Sequence, residues 1–89
     1  AEILALEGMK NTLIKHFPLL FLEFSPHSIT KINRNPMDLL LTLHNIGYSV
    51  FNMDKTHQRL DSVIDFQKFI ESIPKGEYTD IYCEKTATF

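Results

Sequence analysis

Between Pro18 and Pro26 the chain reads Leu19-Leu20-Phe21-Leu22-Glu23-Phe24-Ser25. This run constrains the fold more than any other feature. It is far too short to cross a bilayer, which takes about 20 apolar residues. Its length and the prolines at both ends favour a strand over a buried helix. A continuous apolar strand is the kind that is covered on both faces. The run therefore predicts a strand inside a layered α/β fold, with other elements arranged around it.

The flanking sequence supplies those elements. Ile3, Leu6, Lys10, Leu13 and Phe17 recur every three or four residues, with Ile14 beside them, and Pro18 follows. That spacing is an apolar helical stripe stopped by proline, with the Lys10 stem as its weak point. No Ser, Thr, Asp or Asn caps its start. The helix is therefore expected to have lost its lead-in. Gly8 costs about 1 kcal/mol against alanine inside a helix, and close packing against a strand would explain it. From Pro26 to Arg34 the chain is polar and reads as irregular.

A second helix is expected from Asn35, a capping residue, through Pro36, with Leu39, Leu40, Leu43 and Ile46 buried and Gly47 as its left-handed stop. Tyr48 to Met53 reads as a strand and Asp54 to Asp61 as a charged loop. Asp61 or Ser62 can cap a third helix lined by Val63, Phe66, Phe69, Ile70 and Ile73. Tyr78 to Glu84 alternates as a last strand, and Thr86 to Phe89 reads as a tail. Helix and strand alternate three times, which predicts helical crossovers and a parallel first pair of strands.

Eighty-nine residues, 44% of them hydrophobic, make one globular domain or subdomain at most, able to fold alone with little margin. A net charge of −2 leaves no basic excess for nucleic acid or an anionic membrane. One cysteine, Cys83, excludes an internal disulfide. With no signal-like start, the chain is expected in the cytoplasm. Three glycines, at 8, 47 and 76, form no G-x-G-x-x-G loop. His16, His27, His44 and His57 fall on separate elements, and there is no second cysteine for a zinc pair, so no metal site is expected. Cys83 on a strand reads as a buried, inert thiol.

Glu23 is the most informative polar residue. A carboxylate among apolar neighbours must be paired, hydrogen-bonded or near the carboxyl edge of the sheet. Ligands in open α/β sheets bind beyond that edge. Glu23, Ser25 and His27 lie at that end of the first strand. A salt bridge that anchors the loop and a polar group facing substrate are both open for Glu23.

Several segments carry a family likeness. Glu2-Ile3-Leu4-Ala5-Leu6-Glu7-Gly8-Met9 resembles the stretch that follows the Asp-x-Glu-Gly motif of FkbM-type methyltransferases. Pro18 to Glu23 is similar to the family's next strand, an apolar run ending in glutamate. Leu43, Gly47 and Tyr48 match its Leu-x-x-x-Gly-Tyr turn. Gly76 to Ile81 resembles its closing strand, where Asn is commoner than the Asp80 found here. The likeness covers nearly the whole chain, in family order.

The resemblance implies an S-adenosylmethionine-dependent methyltransferase of which these 89 residues are the C-terminal half. It implies a partial Rossmann-like sheet of three strands, two parallel and the last antiparallel between them, with three helices. The cofactor loop would lie before Ala1. S-adenosylmethionine would then bind the intact enzyme and not this chain alone. Glu23 and His27 are the substrate-side catalytic candidates, to activate or orient a hydroxyl of a sugar or secondary metabolite. Glu2 is the one candidate on the cofactor side. The partner would be the missing N-terminal half or a second copy, with no nucleic acid and no membrane. A reading of another class is a non-catalytic α/β module that pairs through its sheet edge.

Overall fold

The computed structural model describes residues 2–54 and 58–86, with the side chains of residues 2–5 outside that description. Ala1, His57 with the middle of the expected loop, and the last three residues of the expected tail also lie outside it. The elements are α1 (Glu2–His16), β1 (Leu20–Phe24), α2 (Pro26–Lys31), α3 (Pro36–Asn45), β2 (Tyr48–Asn52), β3 (Gln58–Leu60), α4 (Val63–Ser72) and β4 (Thr79–Lys85).

The helices begin and end where local chemistry puts them. The Asn35 side chain accepts the Met37 N–H and opens α3, with Pro36 in its first turn. Gly47, at φ +112°, closes α3. Ser62 caps α4 by accepting the Asp65 N–H at 3.2 Å. Helix α1 ends at Phe17, which takes φ +44° immediately before Pro18.

The four strands form one sheet in the order β1-β4-β2-β3, and every neighbouring pair is antiparallel. This overturns the expected three-stranded, partly parallel, Rossmann-like sheet. No neighbouring strands are parallel among the described residues. The reason lies in the crossovers. The helical connection from β1 to β2 carries the chain past a vacant position, and β4 fills it, pairing Leu22 with Ile81 on one side and Val50 with Cys83 on the other. The fourth strand, β3, lies in the stretch read as loop. It folds back on β2 as a hairpin with Val50 opposite Leu60.

Residues directly opposite in an antiparallel pair share a face. Leu20, Cys83, Val50 and Leu60 stand in one such row, as do Leu22, Ile81 and Asn52. This face carries the core. Leu6 and Leu13 of α1, Ile29 of α2, Leu39, Leu40 and Leu43 of α3, and Phe66 and Phe69 of α4 join Phe24, Tyr48, Val50, Leu60, Ile81 and Cys83 in a single buried cluster. Phe24 stacks on Phe69 with ring centroids 5.4 Å apart.

Several local expectations change. Helix α2 occupies a segment read as irregular: it is six residues long, and Ile29 is its buried anchor. Ile14 and Val63, placed on buried stripes, are exposed. Gly8 is exposed, and a Cβ built on it would meet nothing within 4 Å, so no strand packs against it among the described residues. Thr86 is no free tail: its N–H donates to the Gly47 carbonyl at 2.8 Å, and its hydroxyl lies 3.0 Å from that of Ser49.

Candidate functional site

The carboxyl ends of β1 and β2 meet the start of β4 at one end of the sheet, and a groove opens there along α4. Two adjoining cavities, of about 110 and 170 Å³, share Asn52, Phe69 and Ser72 in their walls. Several of the groove's polar groups are engaged internally. Asn52 is buried and its side-chain oxygen accepts the Asp54 N–H at 3.0 Å. The Thr79 hydroxyl donates to the Asp54 carboxylate. The Ser72 hydroxyl donates to the Phe69 carbonyl at 2.6 Å. The Asp54 and Thr79 bonds tie the β2 end to β4. Small-molecule pockets are typically about 300–1,000 Å³. Each of the two cavities is below that range.

Glu23 and His27 stand at the same end of the molecule as this groove but do not line it. Glu23 is exposed, which corrects the expectation of a buried carboxylate. Strand β1 lies at the sheet edge, and its side chains alternate. Leu20, Leu22 and Phe24 turn to the core, while Phe21 and Glu23 turn to the opposite face. Directly across from Glu23 is Asp80, so the nearest charged neighbour in register is a like charge and not a salt-bridge partner. His27 is half-buried in the first turn of α2. No hydrogen bond or ion pair joins Glu23 to His27 among the described residues. Ser25 precedes α2, and its hydroxyl donates to that of Ser28 at 3.0 Å. Glu2 begins α1, but its side chain lies outside the described residues.

Cys83 is fully buried on β4, and desolvation pushes its thiol up to about 12. It stays protonated at neutral pH, so it is no nucleophile. Burial, then proximity to Cys83, also raises Tyr48, whose hydroxyl donates to the Pro18 carbonyl at 2.8 Å. No cluster of His, Cys, Asp and Glu suited to a metal occurs among the described residues. No helix among them is long and apolar enough to cross a membrane.

The feature that sequence reasoning missed is the second face of the sheet. Phe21 stands opposite Tyr82, Tyr82 opposite Phe51, and Phe51 opposite Arg59, so one row crosses all four strands. Phe21 and Tyr82 have ring centroids 4.9 Å apart, and Tyr82 and Phe51 5.8 Å. The buried helix residues all belong to the core on the other face; on this one Phe21 is 69% exposed, Tyr82 and Phe51 are half-buried, and Ser49 is buried. The available signal was the parity of Phe21 within β1 and of Tyr82 within β4. It needed the strand register to become a row. No protein-family model, curated protein or solved structure matches the chain.

Proposed function

We propose that these residues form the C-terminal portion of an S-adenosylmethionine-dependent methyltransferase of the FkbM type. The intact enzyme would move a methyl group to a hydroxyl of a sugar or secondary metabolite. The observation that carries this reading is a clasp between residues of the likeness that are distant in sequence. Pro18, Gly47 and Tyr48 belong to two of the resembling segments. In the fold the Tyr48 hydroxyl bonds the Pro18 carbonyl, and the Phe17 ring lies over Gly47. The glycine–tyrosine turn is thus tied to the lead-in of β1, which gives both motifs a shared structural role. The free edge of β1 and the bare sheet face also leave room for further polypeptide.

In this reading the cofactor is bound by residues outside this chain. S-adenosylmethionine supplies the methyl group when bound there. This chain contributes a wall beside the acceptor, with Glu23 and His27 at the end of β1 to orient a hydroxyl or take its proton. The full reading frame containing these codons provides the test. Its purified product is expected to bind S-adenosylmethionine in calorimetry and to label hydroxyl-bearing acceptors from methyl-labelled cofactor. The 89-residue chain alone is expected to give no heat. Tight binding by this chain alone, or a folded full product with no affinity for the cofactor, would overturn the proposal. Glu23→Gln in the full product separates the two roles of that residue. Lower turnover with unchanged stability marks a substrate-side group, and the reverse marks a structural one.

The non-catalytic alternative rests on the edge itself. Strand β1 ends the sheet, and Leu19 beside it is 62% exposed. An unpaired apolar edge is a template for another strand. A reading frame that begins at these codons, together with concentration-dependent dimers in sedimentation, would favour that module.

A further inference from the structure

We infer that the uncovered sheet face is a docking surface for a basic amphipathic helix supplied by polypeptide outside these 89 residues. The inference goes beyond the methyltransferase reading and does not depend on it. Its first element is the aromatic row. Single apolar side chains on a surface are ordinary, but three rings in contact across adjacent strands form a continuous patch. The central ring, Tyr82, is also held in place. The Tyr82 hydroxyl donates to Glu84 at 2.9 Å, and Phe21 and Phe51 flank its ring. Rigid aromatic groups of this kind serve as interface anchors because little conformational freedom is lost on contact.

The second element is charge. Two residues from the row in one direction stand Glu23 and Asp80, opposite each other; two residues in the other stand Ser49 and Glu84. Carboxylates therefore flank the aromatic row on both sides, about 7 Å away at the strand rise per residue. Arg59, at the β3 end of the row, is paired with Asp61. No other cation stands in these rows among the described residues. Nucleic acid could stack on the rings, but stacking platforms for single strands sit in positive grooves. Here the sign is wrong, so the complementary occupant is cationic.

The third element is dimension. Three neighbouring strands set the row of rings about 10 Å wide, the diameter of one helix with its side chains. A helix lying along β4 would seat its apolar stripe on Tyr82, between Phe21 and Phe51. Lysines or arginines one turn away, about 5.4 Å along the axis, would reach Glu23 and Asp80 at one end and Glu84 at the other.

Calorimetry on the 89-residue chain tests this. One probe is a synthetic helix of about 18 residues, long enough to be helical in water, with leucine on one face and lysine on the others. The second probe replaces every lysine with glutamate. The lysine peptide is expected to bind, more weakly as salt rises, and the glutamate peptide to give no heat. Phe21→Ser should weaken the lysine peptide about tenfold, and so should Glu23→Lys combined with Asp80→Lys. If Phe21→Ser does not fold by circular dichroism, the charge variant carries the test, since both of its positions are exposed. Equal binding of the two peptides would overturn the inference. So would unchanged affinity in the variants, preferential binding of a single-stranded RNA oligonucleotide, or a homodimer that buries Tyr82 and excludes the peptide. Neither probe involves S-adenosylmethionine, so failure here is distinguishable from failure of the methyltransferase reading.

Discussion

Replacing Gly47 with alanine should cost about 2–3 kcal/mol, assembled from two terms. Gly47 holds φ at +112°, where an L side chain is strained by about 1–2 kcal/mol. A Cβ there would also lie 3.1 Å from both Cε1 and Cζ of the Phe17 ring. That ring has little room to yield. Its centroid is 5.2 Å from that of Tyr48, and the Lys85 ammonium lies 5.2 Å above it. Pushing it aside should add about 1 kcal/mol. A domain of this size is stable by about 4–13 kcal/mol, so the loss is a large share. Urea unfolding followed by circular dichroism reads it directly. With a slope of about 1 kcal/mol per molar urea, the midpoint should fall by about 2–3 M. Repeating the substitution in a Phe17→Leu background isolates the contact, and about 1 kcal/mol of the cost should disappear. A change below about 0.5 kcal/mol in the parent chain would refute the account of the turn. So would a cost unaltered by Phe17→Leu, for the ring contact alone.

Gly8→Ala should act in the opposite direction, stabilising the chain by about 1 kcal/mol, because the site is helical and open; a destabilised variant would reveal packing at Gly8. Ser62→Ala should cost about 1 kcal/mol in thermal or urea unfolding through loss of the α4 cap, and no loss would mean that Asp65 suffices alone. Cys83 has a folded value near 12, above its ordinary 9.0, so its contribution is complete below pH 9 and is lost as pH climbs toward 12. Stability should therefore fall across that window, and Cys83→Ala should flatten the fall; a parent chain of constant stability from pH 9 to 11 would contradict the burial argument.

The helices were legible where chemistry was local and repeated. Asn35, Pro36 and Gly47 punctuate α3, and Ser62 opens α4, and each acts through its immediate neighbours. The short elements were not legible, because their stabilisation comes from elsewhere in the fold. Helix α2 has one buried residue, Ile29, and no period to detect. Strand β3 is Gln58-Arg59-Leu60, and only Leu60 is apolar enough to anchor it; pairing with β2 makes it a strand. Strand adjacency was hidden from the residue pattern for a similar reason. A crossover between β1 and β2 indicates that they run the same way but not that they touch. The residue pattern of β4 carries no mark of the gap it fills. The candidate site suffered most. Glu23 was expected among buried neighbours, and the alternation of β1 turns it to the exposed face instead.

The apolar run from Leu19 to Phe24 expresses what both faces of β1 require, not what this chain provides. Leu20, Leu22 and Phe24 find cover in the core, with Phe24 wholly buried against Phe69. Phe21, between them, finds only Tyr82 beside it. If the strand were meant to face water on that side, polar residues at Phe21, Tyr82 and Phe51 would serve at no cost to the core, since all three lie off the core face. Three aromatic residues there, meeting in one row, carry a different requirement. The carboxylates around them make indiscriminate apolar association harder while leaving the rings accessible to a cationic helix. The face that most departs from the expected fold is therefore the one with the clearest demand for a partner.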